Sequence, residues 1–172
     1  MRVIAGELRS RRLKGVPGLA TRPTPDRLRE TLFDILGPRI EGATFVDAYT
    51  GTGAVGIEAL SRGARHAYFL ESNRAALTVL RENLATLGLE ARATVMPGRV
   101  QITLPRCRAD LVFLDPPYDR EEEYTMALEA LAEAPPALII VQHSVRFELT
   151  GGPLREVRRV RQGDNALSFF ER

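Results

Sequence analysis

From residue 43 onward, short apolar runs alternate with stretches whose apolar residues recur every three or four positions. The runs TFVDA (44–48), HAYFLE (66–71), ARATVM (91–96), DLVFLD (110–115) and ALIIVQ (137–142) read as buried strands. The spacing between them predicts helices over 53–62, 73–87 and 121–132. In the second of these, Leu77, Leu80, Leu84 and Leu87 share one face and Gly88 follows the end; in the third, Tyr124, Leu128 and Leu131 align. After residue 142 the alternation stops, and LREVRRVRQ and ALSFFER read as two strands joined by the turn GDN. Repeated strand–helix units predict an α/β, doubly wound, mostly parallel sheet, and the tight last turn predicts an antiparallel pair at its C-terminal edge.

The first 38 residues follow another pattern. Residues 2–16 alternate loosely between apolar and basic, with GE and GVPG as turn signals, and read as a short β-hairpin. The stretch TRPTPDRLRETLFDILGP reads as a helix with Leu28, Leu32, Ile35 and Leu36 at helical spacing. Thr24 is its expected N-cap, Pro25 its first residue, and Gly37-Pro38 its stop. The expected organisation is therefore an N-terminal extension over 1–38 and a main domain over 39–172.

Length and composition narrow the class. A chain of 172 residues suits one domain with a small appendage. No apolar run approaches the roughly 20 residues of a membrane span, and no secretory signal is evident at the start, so a cytoplasmic protein without membrane contact is expected. Cys107 is the only cysteine, which excludes an internal disulfide, and the two histidines stand apart from any cysteine, so no metal site is expected. The net charge of +2 conceals an asymmetry, because residues 1–29 hold eight basic residues against two acidic ones, a net +6, leaving −4 for the rest. A basic arm on a mildly acidic body suggests phosphate contact, although Lys14 is the only lysine and part of the arginine excess reflects a compositional bias.

The stretch FVDAYTGTGAVGIEAL contains G-x-G-x-x-G at Gly51, Gly53 and Gly56. In a doubly wound sheet such a turn, at the carboxyl end of the first strand, receives a ligand. Asp47 precedes Gly51 by four residues, and a carboxylate there repels a pyrophosphate but attracts a cation. S-adenosyl-L-methionine carries an ammonium and a sulfonium and no phosphate. Gly51 and Gly53 are expected to let the backbone pass close to its methionine part. Glu71, 20 residues after Gly51, ends the second strand and can accept from both ribose hydroxyls, a feature equally suited to NAD. A solvated strand end for Glu71 and a turn-capping role for Asp47 are the plainer alternatives.

LVFLDPPYD places Asp115, Pro116, Pro117 and Tyr118 directly after an apolar strand. The lone pair of a nucleobase amine is delocalised into the ring, so an enzyme that methylates it must hold the amine with acceptors. Asp115 supplies a carboxylate and Pro116 a carbonyl, the two prolines remove N–H donors, and Tyr118 offers a face for an extruded base. A plain strand-ending turn with a buried tyrosine is the alternative.

The tetrapeptide resembles that of amino-directed S-adenosylmethionine-dependent methyltransferases. Taken with MRVIAGELRSRRL, TRPTPDRLRETLFDIL, DAYTGTGAVGIEALSRGA and VFLDPPY, the whole chain resembles the RsmD family of bacterial 16S rRNA guanine-N2 methyltransferases, most weakly after Leu138. The resemblance implies a Rossmann-like class I methyltransferase sheet and a monomeric cytoplasmic enzyme. Its expected substrate is one guanine amino group of 16S rRNA in an assembled or partly assembled small ribosomal subunit. By position, Asp47, Tyr49, Gly51 and Gly53 would line the methionine side, Glu71 would hold the ribose with Ser72 beside the adenine, and Asp115 to Tyr118 would form the base pocket. Thr24 and Arg27 would close over the cofactor, and Arg9, Arg11, Arg12 and Arg22 would touch RNA. Two positions depart from the pattern: Arg99 stands where an acidic residue is usual, leaving backbone or guanidinium stacking for the adenine, and Gln142 stands where glutamate is common. The rival substrates are DNA adenine and a protein glutamine. The absence of a target-recognition insertion counts against the first and the +6 arm against the second. An NAD-dependent oxidoreductase is disfavoured by Asp47 and by the lack of an evident substrate domain, and a non-catalytic RNA-binding module would keep the basic arm but have no need for both the glycine loop and D-P-P-Y.

Overall fold

The computed structural model describes residues 1–18 and 24–172. Its centre is a seven-stranded sheet of β1 (Thr44–Ala48), β2 (His66–Glu71), β3 (Ala93–Pro97), β4 (Leu111–Leu114), β5 (Leu138–Ser144), β6 (Arg155–Gln162) and β7 (Asn165–Glu171). The spatial order is β3-β2-β1-β4-β5-β7-β6, with the first five strands parallel and β7 antiparallel to both its neighbours. The expected terminal antiparallel pair is present, but β7 enters between β5 and β6, so β6 is the edge. Burial follows: β7 is buried along nearly its whole length, whereas β6 is largely exposed and carries Arg155, Arg158, Arg159 and Arg161.

Side chains alternate across the sheet with the strand period of two. Phe45, Phe69, Phe113, Ile140 and Phe169 face one core, with α1 (Asp26–Leu36), α2 (Ala54–Ser61) and α3 (Arg74–Leu87) packed on it. Val46, Leu70, Val112, Leu114, Ile139 and Val141 face the other, under α5 (Glu121–Ala132) and the four-residue α4 (Val100–Thr103). Burial on both faces is why the parallel strands read as continuous apolar runs. The α3 end is capped as the sequence suggests, Gly88 turning left-handed at φ 67°, and at its start Asn73 stands outside the helix as a cap, accepting from Ala76 N at 3.0 Å. The α1 start differs. Pro25 is extended at ψ 139° and caps without a side-chain bond, and the Thr24 hydroxyl points elsewhere.

The arm expected as a hairpin folds back on itself around a single antiparallel bridge, Arg2 to Arg12, with Val3 N donating to Arg11 O, Ser10 N to Val3 O and Leu13 N to Met1 O at 2.9 Å each, and it is tied to α2 as well. Ile4 N and Ala5 N donate to the two carboxylate oxygens of Glu58 at 2.8 and 2.9 Å, and Leu8 N donates to Ser61 Oγ at 3.0 Å. Gly6 has φ 82°, and a Cβ there would lie 1.9 Å from Ser61 O, so the close approach demands glycine. Glu58 and Arg29 are both fully buried; Arg29 donates to Arg2 O at 2.6 Å and its Nε lies 3.9 Å from Glu58. Val3 and Leu13 join the same core as α1, so the extension shares the apolar interior of the main domain.

Removing Glu58 strips two arm amides and Arg62 Nε of their acceptor and takes the nearby counter-charge from buried Arg29. Glu58→Ala is expected to lower the unfolding free energy by about 3–5 kcal/mol in urea titration and to speed hydrogen exchange at Ile4 and Ala5.

Candidate functional site

Loops at the carboxyl ends of β1, β2, β4 and β5 surround a cleft of about 1160 Å³. Chemistry-bearing side chains gather at these ends while the strands below stay apolar.

The loop after β1 bends through three left-handed residues, Tyr49 (φ 62°), Gly51 (φ 58°) and Gly53 (φ 90°). Asp47, 2% exposed, holds it: Oδ2 accepts from Thr50 Oγ1 at 2.6 Å and from Gly56 N, in the first turn of α2, at 2.8 Å. Glu71 holds it from the other side, accepting from Gly51 N at 2.8 Å and from Ser72 N and Asn73 N at 2.9 and 2.8 Å. Three of the roughly four acceptor positions of the Glu71 carboxylate are thereby filled, leaving about one for a ligand hydroxyl. Tyr49 accommodates its left-handed backbone with a tie across the cleft, its hydroxyl donating to Glu123 Oε2 at 2.8 Å, and Gln101 Nε2 donates to the same oxygen.

The two glycines expected to flank the ligand separate here. A Cβ on Gly51 would meet nothing within 4 Å, and Gly51 lines the cleft. A Cβ on Gly53 would lie 2.5 Å from Leu80 Cδ1, and Gly53 is absent from the cleft wall. The close approach of α2 to α3 therefore requires glycine at 53. Gly56 likewise abuts Phe69.

On the opposite wall, Asp115 leaves β4 half-buried and accepts from the Thr24 hydroxyl at 3.3 Å, which corrects the helix-cap expectation and puts Thr24 in the cleft. The Pro116 carbonyl accepts from Tyr124 Oη at 3.3 Å and keeps its second lone pair. Pro117 is exposed; Tyr118 is half-buried, with its hydroxyl donating to Asn165 Oδ1 at 2.6 Å and accepting from Gln142 Nε2 at 3.2 Å. Ser72 and the exposed Arg99 stand at the β2 side, and Arg99 opens α4, an element with no signal in the sequence pattern. From α4, Ile102 shows an apolar side chain that is 57% exposed at the cleft.

Arg9, Arg11 and Arg12 are exposed on the arm and line no part of the cleft; Arg11 reaches Thr86 O at 3.3 Å. Arg27 is exposed on α1, and Arg22 lies outside the described residues. Glu123, Gln101, Ile102 and Asn165 escaped sequence reasoning. Glu123 was masked as one of three glutamates in a first helical turn, and Asn165 was read only as a turn residue.

Burial pushes the carboxyls of Asp47 and Asp115 up to about 7, the Asp47 charge adding to the shift at Asp115 while the Thr24 hydroxyl opposes it. Burial, then the Glu123 hydrogen bond, raises the Tyr49 phenol far above its usual range. An acid whose folded value is raised binds more protons folded than unfolded, so the protein loses stability as pH climbs from about 4 toward 7. Asp115→Asn is expected to flatten that decline in urea unfolding measured from pH 4.5 to 7.5.

The sequence profile of a family described as "Conserved hypothetical protein 95" matches residues 1–171. The chain is 38% identical over 157 residues to ribosomal RNA small subunit methyltransferase D of Escherichia coli (strain K12), covering 89% of this chain and 79% of that protein. Among solved structures it is similar to a hypothetical protein of Thermus thermophilus, with TM-score 0.84 and 32% identity, covering 100% of this chain and 99% of the other. An RNA methyltransferase of Salinibacter ruber, crystallised with S-adenosyl-L-homocysteine, shares the fold at TM-score 0.69 and 16% identity over 87% of this chain and 92% of its own. A profile match along the whole length, joined to that identity with the Escherichia coli enzyme, means that this chain belongs to the RsmD family.

Proposed function

We propose that this protein transfers a methyl group from S-adenosyl-L-methionine to the exocyclic N2 amine of one guanine in 16S rRNA. The observation that carries this reading is the pair of near-neutral carboxylates, Asp47 and Asp115, facing one cleft whose wall also presents the Pro116 carbonyl and Tyr118. Such a site favours a cationic ligand beside an amine. A cation between the two carboxylates relieves their repulsion and stabilises their charged forms.

The residues present fit the cofactor. Gly51 offers open space where the backbone turns, Asp47 and Glu71 supply acceptors on either side of it, and Ile102 with Arg99 provides an apolar and a planar surface for an adenine. The S-adenosyl-L-homocysteine bound by the Salinibacter ruber neighbour, on the same fold, supports the assignment. When bound, the cofactor would supply an electrophilic methyl group on a sulfonium centre, whose methyl–sulfur bond breaks with the electron pair left on sulfur as a neutral thioether. Asp115 and the Pro116 carbonyl accept from the target amine and turn its lone pair toward the cleft, while Tyr118 carries the base plane. The amine nitrogen loses a proton as its new N–C bond forms. A carboxylate that titrates near 7 is matched to receiving that proton at Asp115 Oδ.

In this reading residues 39–172 form the catalytic domain, and 1–38 serve as RNA contact and as a lid over the cofactor, with Thr24 as the lid residue nearest the chemistry. Arg9, Arg11 and Arg12, exposed outside the cleft, contact phosphates flanking the extruded guanine, and Arg22 is assigned the same role from the sequence alone. The enzyme acts in the cytoplasm as a monomer on an assembled or partly assembled small subunit.

The test incubates purified protein with labelled S-adenosyl-L-methionine and small subunits from cells lacking it, with naked ribosomal RNA, DNA and protein substrates in parallel. Label recovered as N2-methylguanosine is expected; label confined to DNA adenine or to a protein glutamine would replace the substrate. Asp115→Ala is expected to cut transfer by a factor of about 100–1,000 while leaving cofactor affinity within a few fold, and equal loss of both would remove Asp115 from the amine. Binding of the cationic cofactor is expected to release protons near pH 7, read by calorimetry in buffers of different ionisation enthalpy, because it draws Asp47 and Asp115 below their raised values of about 7.

A further inference from the structure

The amide of Gln142 is 3% exposed and half satisfied. Its Nε2 donates to Tyr118 Oη at 3.2 Å, and that hydroxyl donates in turn to Asn165 Oδ1 at 2.6 Å. The direction of this chain fixes the amide. The single hydroxyl proton of Tyr118 is committed to Asn165, so its oxygen accepts, and Gln142 must turn its nitrogen toward it. Gln142 Oε1 is left buried without a hydrogen-bond partner among the described residues. A buried acceptor stranded in this way is destabilising until a donor arrives to complete it.

The position says what arrives. Leu114 pairs with Val141 in the parallel β4–β5 ladder, so the next residues, Asp115 just past β4 and Gln142 still within β5, stand side by side. Both line the same cleft. Two neighbouring acceptors, a carboxylate and an amide oxygen, call for two neighbouring donors. Among the nucleobases, guanine presents N1–H beside its N2 amine. Adenine and cytosine place a bare ring nitrogen next to theirs, and that lone pair would face Gln142 Oε1 and be repelled.

We propose that Gln142 is the residue that selects guanine, its Oε1 accepting from guanine N1–H while Asp115 and the Pro116 carbonyl hold the adjacent N2 amine. This rests on the assignment of guanine N2 as the methyl acceptor. Asn165 is a positioning residue in the same device: by taking the Tyr118 hydroxyl proton it orients the tyrosine ring and, through it, the glutamine amide. The last turn of the sheet thereby reaches the base pocket through two hydrogen bonds.

The experiment compares small subunits reconstituted with guanine or with 2-aminopurine at the methylated position. The analogue keeps the N2 amine but offers a lone pair at N1. Wild-type protein is expected to prefer guanine by about 100-fold or more in kcat/KM, because a site built around a donor rejects a base that leaves its acceptor unpaired. Gln142→Met, similar in volume and without the acceptor, is expected to bind S-adenosyl-L-homocysteine normally, to transfer slowly to guanine, and to lose most of the preference. Gln142→Glu, which keeps an acceptor oxygen, is expected to retain it. Equal wild-type rates on both substrates would overturn the proposal without any variant, and so would an undiminished preference in Gln142→Met, which would shift the discrimination to the O6 side. Wild-type protein that methylates no guanine at all would instead overturn the underlying function, an outcome read separately from the ratio.

Discussion

Two carboxylates that end neighbouring strands and face one cleft impose the central constraint on this protein. Each is pushed up to about 7 by burial, and the charge of Asp47 makes Asp115 harder to ionise. The surrounding architecture reads as a response. A hydroxyl and a helix-turn amide converge on Asp47, the Thr24 hydroxyl reaches Asp115, and Glu71 is tied down by three backbone amides so that it holds the loop in place. The site keeps negative potential in reserve, and a cation that enters it meets acceptors already oriented.

Fixing the loop also explains why the arm cannot be read as a separate appendage. Asn83 on α3 accepts from Lys14 N, donates to Lys14 O, and donates to Thr52 O within the glycine loop. The arm thus bears on the cofactor side through one buried amide. Glu58 anchors the same arm from α2, so backbone near the N-terminus is tied to side chains of both helices.

Strands and long helices were legible because a parallel sheet buried on both faces writes itself as apolar runs, and α3 and α5 carry clear periodicity. The cleft was legible in outline because strand ends carry its chemistry. What escaped depends on three-dimensional proximity. The four-residue α4 is too short to show a period. Gly53 fits the ligand motif by spacing, yet what forbids a side chain there is Leu80, 27 positions away. Thr24 has the composition of a cap and the location of a cleft residue. Charge counting misled in a similar way. Arg29 was part of the +6 attributed to a phosphate-facing arm, but it is buried beside Glu58 and unavailable to any partner. The family-like stretch GIEALSRGA acquires a physical reason in the same place, since it contains Glu58 and Ser61, two of the side chains that hold the arm.

The insertion of β7 between β5 and β6 has a consequence for the order of assembly. The ladder of β6 is made with β7 alone, so residues 155–162 have no sheet to join until 165–171 exist to pair with them. During vectorial synthesis the first five strands can settle in sequence, while the arginine-bearing β6 must wait, unpaired, for the strand behind it. Four arginines on that strand suit such a delay, because a charged segment resists pairing with another chain while it waits. The hydroxyl of Tyr118 finds Asn165 only when β7 docks, so the base pocket is among the last parts of the molecule to take its final shape.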